Sequence, residues 1–185
     1  MKPIRIPSIL HDIFGEEQHI LSIAAVLLFG GGLTALLYFL YPEMTAHLPV
    51  WRSILALLFI FDIFSGCIAN FTASTSNFYA ARKKNRLVFI AIHFHIVIIA
   101  VLLNAAIGYS IAVWAYTIAG AFIVNALIGK QSQRFAAALL LSVGIGCIPL
   151  LPNIEPYMLI TCQLFMLKVL FGFAVDHYNQ TTTGR

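Results

Sequence analysis

Three ionisable residues, Asp62, His95 and Lys168, stand inside long apolar stretches of this 185-residue chain. A charge within hydrocarbon is costly, so such residues face the interior of a helix bundle and mark a solute path, a proton relay or an ion pair. Counted at about 1.5 Å per residue from the basic loops, Asp62 lies roughly 15 Å deep, and His95 and Lys168 roughly 12 Å deep. One layer near the midplane can hold all three. A carboxylate, an imidazole and an ammonium in one layer make a protonatable centre able to bind a small solute or ion. The competing reading is a structural Asp62–Lys168 pair whose charges cancel and hold two helices in register.

Helical phase supports a shared centre. At about 100° per residue, Asp62, Gly66, Ala69, Asn70, Ala73 and Asn77 fall on one small-and-polar stripe, and Thr161, Lys168, Gly172 and Asp176 on another. Small residues beside polar ones let membrane helices come close enough to hydrogen-bond. Asn70 and His93 are expected to line the cytoplasmic side of the centre. The pair His93 and His95 resembles a metal site, but two residues on an unbroken helix are about 200° apart, so the imidazoles point to opposite faces and no metal is expected. Cys67, Cys147 and Cys162 have no CxxC spacing and are expected to pack as small hydrophobes. Walker loop, nucleophile elbow and dinucleotide fingerprint are all absent, so the cofactor is left unknown and enzymatic activity stays open.

A second polar cluster runs from Asn70 to Arg86, NFTASTSNFYAARKKNR. Its Asn77, Tyr79, Arg82 and Arg86, with Asp176 and His177 at the same level, suit an anionic headgroup or a phosphate at the inner leaflet. An acid/base pair there would serve an enzyme acting on a lipid or isoprenoid. The plainer explanation is that the helix emerges into water and its basic residues set topology.

These residues need elements to hold them, and composition names the class. Hydrophobic residues make up 61% of the chain and charged residues 10%, against roughly 45–50% and about 25% in soluble domains. A soluble core of this size cannot hide so much apolar surface. Apolar runs approaching the roughly 20 residues that cross a bilayer predict spans at 19–41, 51–72, 87–106, 109–128, 135–151 and 157–176. The result is an all-α integral membrane protein, a bundle of about six transmembrane helices. The weakest boundary is Gly108, where an almost continuous apolar run needs a tight turn. Gly30, Gly31 and Gly32 in the first span, and Gly144 and Gly146 before Pro149 in the fifth, allow kinks or close packing.

Charge orients the bundle. With the N-terminus in the cytoplasm, the inner segments collect Lys2, Arg5, Arg82, Lys83, Lys84, Arg86, Lys130, Arg134 and Arg185, and the outer loops hold only Arg52. The positive-inside rule then places both termini in the cytoplasm and Tyr41, Trp51, Tyr109 and Tyr157 at the outer interface. The net charge of +4 thus belongs to loops, and no nucleic-acid partner is expected. Residues 1–18 read as an interfacial segment with a short surface helix or as a polar tail, 19–176 as the membrane domain and 177–185 as a cytoplasmic tail. No removable signal peptide is read in the first of these. The triplets at Asn70 and Asn179 are discounted as glycosylation sites because they fall on the cytoplasmic side.

The leading expectation is a plasma (inner) membrane carrier or binding protein for a small solute or ion, using Asp62, Asn70, His93, His95 and Lys168. A lipid enzyme at the inner leaflet and a structural accessory subunit are the alternatives. Membrane lipids and the solute are the expected partners, and a homo-oligomer is compatible.

Overall fold

The structure is a computed structural model that describes residues 3–178. Lys2, Arg185 and the triplet at Asn179 lie outside the described residues. Within them, six helical segments are long and apolar enough to cross a membrane: Ile20–Leu40, Val50–Ala69, Lys83–Leu103, Ile107–Ala126, Ser132–Leu150 and Pro156–Phe173. This is an all-α bundle with the make-up of a multi-pass membrane protein. Large apolar side chains such as Leu28, Phe39 and Phe135 point outward, each more than 70% exposed. A water-facing surface would not carry such a belt.

The first span, α2 (Ile20–Leu40), packs chiefly against α3 (Val50–Ala69). Tyr41-Pro42 ends α2, since proline offers no N–H to continue the ladder. After α3 comes a separate helix, α4 (Ala73–Ala80), whose Thr72 cap accepts a hydrogen bond from the Thr75 N–H at 3.4 Å. The polar stripe expected to run on through Ala73 and Asn77 is therefore interrupted. Hydroxyl capping ends one helix and starts another where a continuous wheel is assumed.

The third span is two helices, α5 (Lys83–Ala91) and α6 (His95–Leu103). It is followed by α7 (Ile107–Ala126) and α8 (Ser132–Cys147). The turn into α7 is at Asn104–Ala106, and Gly108 is inside the helix. Asn104 and Ala106 both take the left-handed conformation, φ 54° and 50°, the first of which asparagine tolerates well. Arg52 braces this corner, donating to the Val101 carbonyl and to Asn104 Oδ1.

The last span begins as α9 (Pro156–Met166) and continues as a π-helix over Leu167–Phe173. It is the axis of the bundle, packed by α3, α6, α7 and α8. Phe165, Met166, Val169 and Leu170 on it are fully buried. At the opposite end from the basic loops, Tyr41 and Tyr157 rings lie 6.0 Å apart and Tyr109 donates to the Pro152 carbonyl at 3.0 Å. Cys67 and Cys162 are buried, while Cys147, at the end of α8, is exposed and so does not pack inside.

The helical part of the N-terminal segment is short, a 3₁₀ turn at Ser8–Leu10 running into α1 (His11–Phe14), and two strands flank it. Ile4–Arg5 (β1) pairs antiparallel with Glu17–Gln18 (β2) around these two turns. Pro3 and Pro7 deny it a longer helix. It docks on α4: Thr75 donates to the Ile13 carbonyl at 2.9 Å, Tyr79 to that of Asp12 at 3.2 Å, and Arg82 meets Glu16 at 2.7 Å. Phe14 and Ile6 pack with Val26 of α2 and Ala69 of α3. The reversal depends on Gly15, at φ 73° and ψ −168°, a region open essentially to glycine alone. A Cβ there would also meet Ser74 Oγ at 2.1 Å and its carbonyl carbon at 2.5 Å. Gly15→Ala is therefore expected to undock residues 3–18 at a cost of about 1–3 kcal/mol. Limited proteolysis checks this: cleavage before residue 19 should speed up while the remaining bundle stays intact, and an unchanged digestion pattern would refute it.

Candidate functional site

Asp62 lies on α3 with its carboxylate turned toward the π-helix and the start of α6. Its Oδ2 is 2.6 Å from Lys168 Nζ and 3.0 Å from His95 Nδ1. Lys168 also donates to the Asp62 carbonyl at 3.2 Å. The His95 contact is at ion-pair distance without hydrogen-bond alignment. Its ring rests beside Phe59, 5.3 Å between centroids.

Two local features let Lys168 reach this point. It sits in the π-helical segment, where the wider turn alters the phase of the axis helix; such segments recur at functional sites. Gly66 supplies the room, because a Cβ there would approach Lys168 Cε to 2.3 Å and Nζ to 2.8 Å. The Lys168 side chain is only 4% exposed, whereas that of Asp62 keeps 43% of its surface open. The ammonium is sealed in and the carboxylate is not.

His93 and His95 do not point to opposite faces. Their rings lie 4.9 Å apart because the helix is broken over Ile92–Phe94. The cause is local competition: His93 Nδ1 lies 2.6 Å from the Phe89 carbonyl, the acceptor its own backbone N–H would use in an unbroken helix. That N–H turns instead to Ile90, at 3.4 Å. A carbonyl can only accept, so Nδ1 carries the ring proton and Nε2 is left as a bare acceptor. Nε2 is buried without a hydrogen-bond partner.

These groups surround one cavity of about 210 Å³. Asp62, Asn70, His93, His95 and Lys168 all line it, along with Val26 and Leu27 of α2 and Phe89 of α5. Asn70 donates to the Lys168 carbonyl at 3.1 Å, tying α3 to the axis helix. Asp12, Ile13 and Phe14 of the N-terminal segment line it too, a role that nothing in their sequence announces. Among the described residues no three His, Cys, Asp or Glu side chains are grouped to hold a metal ion.

The six residues expected to form a headgroup site are dispersed. Tyr79 is buried against Phe89 and Phe173 and holds the N-terminal segment; burial, with Asp12 beside it, pushes its hydroxyl pKa up. Arg82 pairs with Glu16 and lies over the Phe78 ring at 3.9 Å. Asn77 is exposed. His177 turns to the Phe71 and Phe171 rings, and burial holds its pKa below the ordinary imidazole value. Arg86 and Asp176 share a pocket. Sequence reasoning also passes over Gln133, which is buried and bonds the carbonyls of Val124 and Ala174 and the N–H of Asp176. One of two glutamines in the polar stretch GKQSQR carries no sequence signal of that role.

Compared with protein-family models, curated proteins and solved structures, the chain matches none.

Proposed function

We propose that this chain is a small membrane carrier or binding protein for a small solute or ion, inserted in the plasma (inner) membrane with both termini cytoplasmic. Asp62, His95 and Lys168 form its protonatable midplane centre. One observation carries the reading: a single carboxylate oxygen is shared by an ammonium at 2.6 Å and an imidazole at 3.0 Å on the wall of a cavity. A purely structural ion pair is best sealed from other ligands, yet the Asp62 side chain stays 43% open.

The chemistry follows from charge balance. With His95 neutral the centre is a compensated Asp62–Lys168 pair; a proton on His95 leaves one positive charge in excess. An entering solute can exchange with His95 for Oδ2, so that proton occupancy and solute occupancy are linked. The volume of about 210 Å³ favours a small molecule over the drug-sized ligands that fill about 300–1,000 Å³. Asn70 and His93 add further polar residues to the same wall.

Proteoliposomes enclosing a pH-sensitive dye test the proposal, challenged in turn with monocarboxylates, amino acids, primary amines and sugars across a proton gradient. One class is expected to collapse the gradient, and Asp62→Asn to slow this about tenfold or more, the usual worth of a charged hydrogen bond. Equal rates in the folded variant, or no response of the wild type to any class, would overturn the carrier reading.

A further inference from the structure

If the cavity at Asp62 is the solute site proposed above, on which this inference rests, the donors on its wall decide what it accepts. The Lys168 ammonium, on a side chain 4% exposed, is directed at Asp62, to Oδ2 at 2.6 Å and to the backbone carbonyl at 3.2 Å. Asn70 holds its amide nitrogen on the Lys168 carbonyl at 3.1 Å, and Ser65 donates its hydroxyl proton to the Phe61 carbonyl at 2.6 Å. The His93 ring proton goes to the Phe89 carbonyl. At His95 a bare lone pair 3.0 Å from a carboxylate oxygen would be repelled, so the neutral ring keeps its proton on Nδ1, toward Asp62, and has none to give at Nε2. Each side-chain donor on the wall thus already faces an oxygen of the protein.

Acceptors are what the wall has to offer. The Asp62 side chain is 43% exposed, and both of its partners lie on Oδ2, which leaves Oδ1 for a ligand. Asp12, also on the wall, is exposed. With the histidines neutral, two carboxylates stand against one ammonium, an excess of one negative charge. An anion would meet the carboxylates with the ammonium sealed behind them. A neutral polyol brings lone pairs that find no free side-chain donor, and a divalent metal ion needs about six oxygen ligands. A primary ammonium brings three donors, no acceptor and one positive charge. The rest of the wall, Phe14, Val26, Leu27, Phe61 and Phe89, suits a short hydrocarbon tail, and its aromatic faces attract a cation. We propose that the cavity takes a small primary alkylammonium, with its nitrogen on Asp62 Oδ1.

Isothermal titration calorimetry on the detergent-purified full chain at neutral pH tests this with ligands of one chain length, n-butylammonium, butyrate, 4-aminobutyrate and 1-butanol. Tetramethylammonium and sodium are added as cations without an N–H. Butylammonium is expected to bind about tenfold more tightly than each of the others, the difference that one charged hydrogen bond makes. Asp62→Asn should abolish the preference. Because that change also disturbs the pair with Lys168, Leu27→Trp is the second variant; it narrows the cavity from α2 without touching a charge. It should melt like wild type without ligand and bind butylammonium about tenfold more weakly. Butyrate, 1-butanol or sodium bound as tightly as butylammonium would overturn the proposal, as would wild-type affinity for butylammonium in both variants. Equal binding of tetramethylammonium would remove the need for N–H donors and overturn the primary ammonium. The outcome is separable from that of transport: if butylammonium does not bind but another solute class collapses the proton gradient in proteoliposomes, the ammonium assignment falls and the carrier stands. Selective binding with no class collapsing the gradient would uphold the site and remove the carrier.

Discussion

Asp62→Ala is expected to destabilise the bundle by about 3–5 kcal/mol, the cost of stranding a buried charge, and adding Lys168→Met to recover most of that loss. With the carboxylate gone, the Lys168 ammonium, on a side chain 4% exposed, keeps only the Asp62 backbone carbonyl at 3.2 Å. Lys168→Met alone is milder, roughly 1–2 kcal/mol, because Asp62 is partly open and retains His95 at 3.0 Å. Methionine also fits the slot beside Gly66 that the lysine stem occupies. Melting the four chains in one detergent gives the coupling between the two positions. Additive losses would mean that the pair does not hold the axis helix to α3. The rescued double variant separates the two readings of the centre: as a scaffold it is complete, but as a carrier it has lost the Asp62 carboxylate that Lys168 and His95 share and should move no protons.

Much of this centre is legible in the sequence because charge inside an apolar run is conspicuous. Asp62, His95 and Lys168 are identifiable from their surroundings alone, and depth arithmetic puts them in one layer. Span number and approximate limits follow from apolar length in the same way. Failures arise where one side chain redirects the backbone. No proline or glycine marks the break at Ile92–Phe94; His93 makes it by capturing the Phe89 carbonyl, so a wheel drawn through both histidines sends them apart when their rings are 4.9 Å from each other. The turn expected at Gly108 lies instead at Asn104, where asparagine in the left-handed conformation and the reach of Arg52 from α3 supply what glycine is assumed to supply. The place of the N-terminal segment on the cavity wall is tertiary in origin, resting on hydroxyls of Thr75 and Tyr79 more than sixty residues away. Local pattern contains no trace of such contacts.

The same distinction between local and tertiary causes predicts opposite outcomes for one substitution at two neighbouring glycines. Gly32→Ala meets nothing within 4 Å, so it should stabilise α2 by roughly 0.5–1 kcal/mol through helix propensity. Gly30→Ala places its methyl 2.1 Å from Ser65 Oγ, 2.9 Å from Ser65 N and 3.0 Å from its Cβ. Rotation can move the hydroxyl, which now donates to the Phe61 carbonyl at 2.6 Å, but it cannot move the backbone nitrogen. α2 must therefore shift off α3, at a cost of about 1–3 kcal/mol. Because α2 packs chiefly on α3, little else holds it in place. Val26 and Leu27, one turn away, line the cavity at Asp62, so the shift should also change how that cavity is closed. Gly30→Ala is thus expected to melt below wild type and Gly32→Ala above it, with altered proton movement in the first variant only. If both alanines raise the melting temperature alike, close approach at Gly30 is not what seats α2, and the three glycines are interchangeable.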